Sequence, residues 1–418
     1  MASINPFEIK KEKTEDDFAP LGELWYSPYT ADGSNPCSAL RVLLACCTES
    51  ASVFLKHDLV ARCAAADLKR EIALLARAEQ FQQEGLSLFC REKPAALFYA
   101  LFYEQLNEEL TAAVAQEETD EYVKAAFDFA LAEDCDHLYR FSCLIKAESG
   151  ADAKEITGGI TEIMPGRPSI SQHRYPFDDV RRFVPFALSG VKTWTHLFAV
   201  AAVKRRTLDF YTNAGYLCRS ETARRLFAEI ALTEEQHLMQ YDSLSDPSLS
   251  VTEKLVLCEY AECYLYYSAY AEETDEKIKQ LWEKRFLREA AHLQKAAQLL
   301  KTFENKDYKA LIPQENFPDP LSLNDFAEKN KLYIRKVLKE TIDLTAVLED
   351  YAKADEIPQN YAFFKYNGKV TRPTEKVASH SVAEKLIERD GQDYRFEESP
   401  HPVPEMRDRT CDNTRAGR

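Results

Sequence analysis

Glu289 and His292 stand three residues apart in a strongly helical run, LWEKRFLREAAHLQKAAQLL at residues 281–300. Three residues turn an α-helix through about 300°, so both side chains leave nearly the same face one turn apart. A carboxylate and an imidazole placed this way form a metal-ligand pair. Helical bundles present metals with one such pair from each of two helices and a lone Glu from each of the other two. One pair carries little weight alone. The chain has 69 acidic residues and 8 His, so Asp/Glu-x-x-His matches arise by chance, and Glu398–His401 is read as one.

An internal repeat strengthens the signal. With a shift of 155 residues, EETDE at 117–121 falls on EETDE at 272–276 without a gap. Glu79 falls on Glu234, Glu104 on Glu259, Asp134 on Glu289 and His137 on His292. Cys63, Arg70, Leu110 and Leu138 fall on Cys218, Arg225, Leu265 and Leu293. A period this long points to a duplicated domain rather than a solenoid of small repeats.

The elements that must position these residues are long helices. Helical patterning runs from about 38, over 61–88, from Pro94 to about 115, and over 119–147; Pro94 suits a first helical turn. The second copy predicts helices over 191–213, 220–243, 252–272 and 275–302, with Ser220 as a cap and Asn213-Ala-Gly215 as a stop. Four helices with short connections read as an antiparallel bundle. The expected organisation is an all-α chain. It has an N-terminal extension (1–36), a first bundle (37–147), a linker (148–184), a second bundle (185–303) and a C-terminal region (304–418). The last holds a helix over 323–354 and an irregular tail. PLGELWYSPYT in the extension is expected to pack on something.

A carboxylate inside a bundle costs several kcal/mol unless it is paired or bound to metal. The register supplies Glu49, Glu79, Glu104, Asp134 and His137 in the first copy, and Glu234, His237, Glu259, Glu289 and His292 in the second. Hard carboxylates with an imidazole suit iron or manganese, with zinc also open. The competing reading for each pair is a solvated helix face. Tyr260, Tyr264, Tyr266, Tyr267 and Tyr270 fit either a channel or, more ordinarily, a core. His57 and His196 have no matching carboxylate and read as structural, and Cys135 faces away if Asp134 and His137 face in.

Composition bounds the setting. Hydrophobic residues are 45% of 418, enough for more than one core. A net charge of −16 argues against nucleic acid or an anionic membrane as the main partner. No uninterrupted apolar run reaches the ~18 residues of a membrane span. MASINPFEIKKEKTEDDF lacks the apolar core of a signal peptide, and 11 Cys with no Cys-x-x-Cys pair read as reduced, buried thiols. A cytoplasmic protein is expected.

The motifs EYAECYLYY (259–267), FLREAAHLQK (286–295) and FAEIALTEEQHLMQY (227–241) resemble the ferritin-like superfamily, most closely the rubrerythrin-type carboxylate-bridged bundle. The resemblance covers about 37–147 and 185–303. It implies a di-iron centre, or a single iron per bundle, reactive toward oxygen or peroxide, with manganese as an alternative. By that likeness Glu79, Asp134, Glu234 and Glu289 would bridge, Glu104 and Glu259 would be terminal ligands, and His137, His237 and His292 would each hold one metal. Glu262, one turn beyond Glu259, would add a ligand or carry a proton. Each copy would then keep its own full set, Glu104, Asp134 and His137 with Glu79, and Glu259, Glu289 and His292 with Glu234. The second bundle is the better furnished.

The chain also departs from the pattern. Gln82 stands where a His is expected, and Lys204 where the register matches Glu49. If inward-facing, Lys204 would be a fixed charge standing in for a metal beside Glu234. Without a Cys-x-x-Cys module, reductant would come from an external electron donor; a homo-oligomer stays open. Two functions remain: an oxidoreductase acting on peroxide, dioxygen or a small substrate, and a ferritin-like scaffold or binding module with eroded sites and no catalysis.

Overall fold

The computed structural model describes residues 4–10, 36–87, 96–166, 175–323, 327–341, 344–347, 351–353 and 356–370, and a few isolated positions beyond. Within them the chain is all-α. The helices are α1 (Pro36–Arg62), α2 (Ala66–Ser87), α3 (Ala96–Glu117), α4 (Glu121–Ser149), α5 (Ala153–Ile156) and α6 (Phe186–Ala214). They continue with α7 (Glu221–Leu244), α8 (Val251–Glu272), α9 (Glu276–Glu304), α10 (Ala327–Thr341) and α11 (Ala362–Val370). PLGELWYSPYT and most of the tail beyond 370 lie outside the described residues.

The duplicated EETDE motif is a helix–helix corner, made the same way twice. Glu118 Oε1 accepts the Thr119 and Asp120 amides at 2.8 and 2.9 Å; Glu273 Oε1 accepts those of Thr274 and Asp275 at 2.9 and 3.0 Å. The next acid then caps the following helix: Asp120 accepts the Tyr122 and Val123 amides, and Asp275 those of Lys277 and Ile278. These carboxylates satisfy amides that a helix start leaves unpaired. Glu273 is further held by Ser38, Arg41 and Trp282 Nε1. α4 ends at Gly150, whose φ of 73° is left-handed and whose amide bonds Lys146 O.

The chain divides into two compact units. One comprises Met1–Lys93, Val184–Arg206 and Ser245–Asp325; the other comprises Pro94–Phe183, Thr207–Leu244 and Phe326–Arg418. These boundaries cross the ones expected from the repeat. The set 37–147 is divided between α2 and α3, and the set 185–303 both within α6, after Arg206, and between α7 and α8, so each unit draws helices from both copies.

In the first unit α1 packs on α2 and α8, and α9 packs on α8 and α2, closing a four-helix ring. Tyr260, Tyr264 and Tyr267 of α8 surround Phe317, which makes them core residues. In the second unit Phe141, Tyr211 and Phe227 interlock with centroids 5.1–5.4 Å apart, joining α4, the end of α6 and α7. Burying each such side chain contributes about 1.5–3 kcal/mol.

α10 seals α3 and α4, with Asn330 Nδ2 donating to Glu109 Oε2 at 2.6 Å and Ile334, Val337 and Leu338 buried against Leu131 and Cys135. It is shorter than the expected 323–354, because Thr345 turns back to bond Ala352 O instead of continuing the helix. The 148–184 linker contains α5 and a close approach: a Cβ on Gly166 would lie 2.2 Å from Ala132 O, so that position accepts only glycine.

Among the described residues two helices, Pro36–Arg62 and Phe186–Leu217, are long and apolar enough to cross a membrane. The first carries Glu49 and Lys56 fully buried, as in the core helix of a bundle.

Candidate metal centres

In the first unit, Glu79 (α2), Glu259 (α8), Glu289 and His292 (α9) bring ligand atoms within 4.8 Å of one another. In the second, Glu104 (α3), Asp134 and His137 (α4) and Glu234 (α7) do the same. Residues named by the sequence register lie in both groups, but not in the pairing expected within each copy. Glu79 joins Glu259, Glu289 and His292, while Glu234 joins Glu104, Asp134 and His137. The five residues read as one well-furnished second-bundle site are divided between the units.

The first cluster contains an ammonium. Lys56 Nζ forms an ion pair with Glu79 and another, at 2.8 Å, with Glu259 Oε1; Glu262 lies 3.9 Å away. Lys56, Glu79, Glu259 and Glu262 are all fully buried. Burial works against the charged lysine, but Glu259 and Glu79 outweigh it and raise its pKa. Lys56 also donates to Ser52 Oγ at 2.7 Å, and that hydroxyl lies 2.9 Å from Glu79 Oε2 and 2.6 Å from Glu262 Oε2. One hydroxyl proton serves only one carboxylate, so a protonated Glu262 donates back; burial and Glu79 push its pKa well up.

Glu49 is raised likewise, by burial and then by Glu289 and Glu79, and accepts from Tyr266 Oη at 2.6 Å. Burial lifts Glu79 to about 8 despite Lys56. Gln82 donates to Glu289, and His292 Nδ1 is 3.2 Å from Glu289 Oε1. Burial alone would favour neutral Glu289 and neutral His292. Their mutual attraction instead holds Glu289 below the ordinary carboxylate range and lifts His292 to about 9.

The second cluster is built around two imidazoles. His137 Nδ1 is 3.0 Å from Glu234 Oε1 and 3.7 Å from Glu104 Oε1. Burial opposes its protonation, yet Glu104 and Glu234 raise its pKa to about 10. His237 Nε2 is 2.5 Å from Glu133 Oε2. Its Nδ1 makes no hydrogen bond among the described residues and faces Asp134 Oδ1 at 3.7 Å and Glu234 Oε1 at 3.8 Å. With Nε2–H donated to Glu133, Nδ1 presents a lone pair to the cluster, as a metal-ligating His held by an outer carboxylate does. Tyr211 Oη donates to Glu104 Oε1 at 2.5 Å, and burial with that carboxylate raises its pKa well above the ordinary phenol range.

The chemistry of the two donor sets differs in how well it fits a metal. The second unit offers hard oxygens plus two imidazoles, a set able to hold a metal ion. The first offers the same oxygens with one imidazole, and a fixed cation among them. The repeat register explains the difference, since Lys56 falls on Tyr211, Ser52 on Thr207 and Gln82 on His237. Both Lys56 and Tyr211 reach the carboxylate of the matching pair Glu259 and Glu104.

Sequence reasoning missed Lys56, Ser52, Glu133 and Tyr211. A helical-face signal was present: Glu49, Ser52 and Lys56 are spaced three and four apart, and Glu133 precedes His137 by four. Lys204, the residue suspected as a substitute cation, is fully buried. His57 is exposed and His196 buried. Cys135 packs with the α10 cluster, away from Asp134 and His137. Among the described residues nine cysteines are free thiols, eight of them buried.

No protein-family model matches the chain, and neither does any curated protein or solved structure. The likeness to carboxylate-bridged proteins therefore rests on the two buried carboxylate–histidine clusters themselves.

Proposed function

We propose that this protein is an iron- or manganese-dependent oxidoreductase acting on dioxygen, peroxide or a small substrate, with its working centre in the second unit. Glu104, Asp134, His137, Glu234 and His237 would hold one or two ions. The observation that carries this reading is His237 Nδ1: a fully buried nitrogen, without a hydrogen bond among the described residues, aimed between two carboxylates. Bound there, the metal would supply one-electron chemistry toward dioxygen or peroxide.

The chain's own residues would prepare that chemistry. Glu133 fixes the His237 ring and its tautomer. Tyr211 orients Glu104 and keeps a proton at Oη beside it. Complete burial of Glu104, Asp134, His137, Glu234 and His237 excludes bulk water and strengthens each electrostatic contact. The described residues hold no rubredoxin-type donor, so an external reductant belongs to this reading, as does a reducing, cytoplasmic setting.

A second reading, a ferritin-like scaffold with eroded sites, is favoured in the first unit by Lys56. One measurement separates the two: metal per chain after anaerobic iron(II) or manganese(II) loading and desalting, for the wild type and for His137→Ala plus His237→Ala. Tightly held metal in the wild type and near-zero metal in the double variant support the centre and justify a peroxide-turnover assay. Near-zero metal in the wild type overturns it.

A further inference from the structure

We infer that Lys56 is the resident cation of the first unit's cluster: its ammonium holds the place between Glu79 and Glu259 that a divalent ion would take, and its removal opens a latent metal site. The inference concerns the first unit alone and stands whether or not the second unit binds metal.

The ammonium sits between the two carboxylates. Lys56 Nζ contacts Glu79 and lies 2.8 Å from Glu259 Oε1, two carboxylates that also belong to the set able to converge on an ion. A metal bonded to those oxygens at about 2.0–2.2 Å would overlap or abut the ammonium, and two cations at that separation repel strongly in a buried site. Lys56 is not free to withdraw. It is fully buried, and Ser52 Oγ, one helical turn before it on α1, anchors Nζ at 2.7 Å. The rest of the cluster is complete without it: Glu79, Glu259, Glu289 and His292 are four ligands from three helices. Glu289 and His292 are also poised, since Gln82 orients one and the carboxylate orients the other. A neutral side chain of similar length at position 56 removes the competing charge and leaves an anionic cage with one imidazole.

The test uses the full chain. Lys56→Met and Lys56→Arg are purified alongside the wild type and loaded anaerobically with manganese(II) alone. Metal per chain and melting temperature are read with and without the ion. Lys56→Met is expected to gain at least one tightly held ion per chain over the wild type, and to melt lower than the wild type without manganese but recover with it. Lys56→Arg keeps the charge and gains no metal. Folding of Lys56→Met only when manganese is present also supports the inference, because the ion then replaces the ammonium.

A folded Lys56→Met that gains no ion overturns it. If that variant folds under neither condition, anomalous scattering from wild-type crystals soaked in manganese decides. No peak among Glu79, Glu259, Glu289 and His292 is expected, and a peak there overturns the inference. Failure of the second unit's centre would look different: the wild type would hold no metal, while Lys56→Met would still gain its ion.

Discussion

The two clusters occupy matching positions of one repeated scaffold and solve one electrostatic problem in opposite ways. Each gathers carboxylates in a bundle interior, where unpaired charge is costly. The first unit answers with an ammonium, Lys56, and with carboxyls driven toward their protonated forms, Glu49 and Glu262. The second puts Tyr211 at the lysine's register and His237 at that of Gln82, so a phenol and an imidazole stand where the first unit has a charge and an amide. Two changes of side chain, Lys56 to Tyr211 and Gln82 to His237, thus separate a buried acidic cage that holds an ammonium from one that presents a second imidazole.

That contrast can be broken, and the largest effect is expected at position 56. Lys56→Met without metal should cost about 3–5 kcal/mol in denaturant unfolding, the typical result of removing one partner from a buried ion pair. A loss under about 1 kcal/mol would mean that the carboxylates simply take up protons. The matching change in the second unit, Tyr211→Phe, should cost about 1.5–3 kcal/mol, because it deletes a hydrogen bond to a charged group but no charge. Equal losses at the two positions would erase the distinction between them.

Glu133→Gln sharpens the second unit's side of the comparison. By loosening the His237 ring it should weaken metal binding about 10–100-fold in a chelator competition, with the fold kept; unchanged affinity would remove Glu133 from the centre. The smallest effects are expected where the units are alike. Asp120→Ala and Asp275→Ala cap equivalent helices at equivalent corners, and each should cost about 1 kcal/mol. Unequal losses would show that the corners differ in more than their shared hydrogen bonds.

Much of this was legible in the sequence because helices announce themselves locally. The EETDE repeat, the helical runs and the spacing of Glu289 with His292 follow from 3.6-residue periodicity and capping chemistry, which involve near neighbours only. Lys56 was less legible. A lone lysine in an apolar helix reads as a solvated or snorkelling side chain until the opposite helices are known. Tyr211 is hard to pick out for the same reason, since an aromatic on a helix is ordinarily core.

The sequence by itself determined the all-α class, the duplication and the carboxylate and imidazole positions on each helix. Only the tertiary structure decided which helices share a core. Gln82 bonds Glu289 across 207 residues, while Glu234 and Glu259, on consecutive helices, serve different clusters. The physical reason lies in the repeat: matching caps and matching carboxylate and imidazole positions give pairing within a copy and pairing between copies similar local signals. The choice between them rests on long-range contacts that no window of sequence contains.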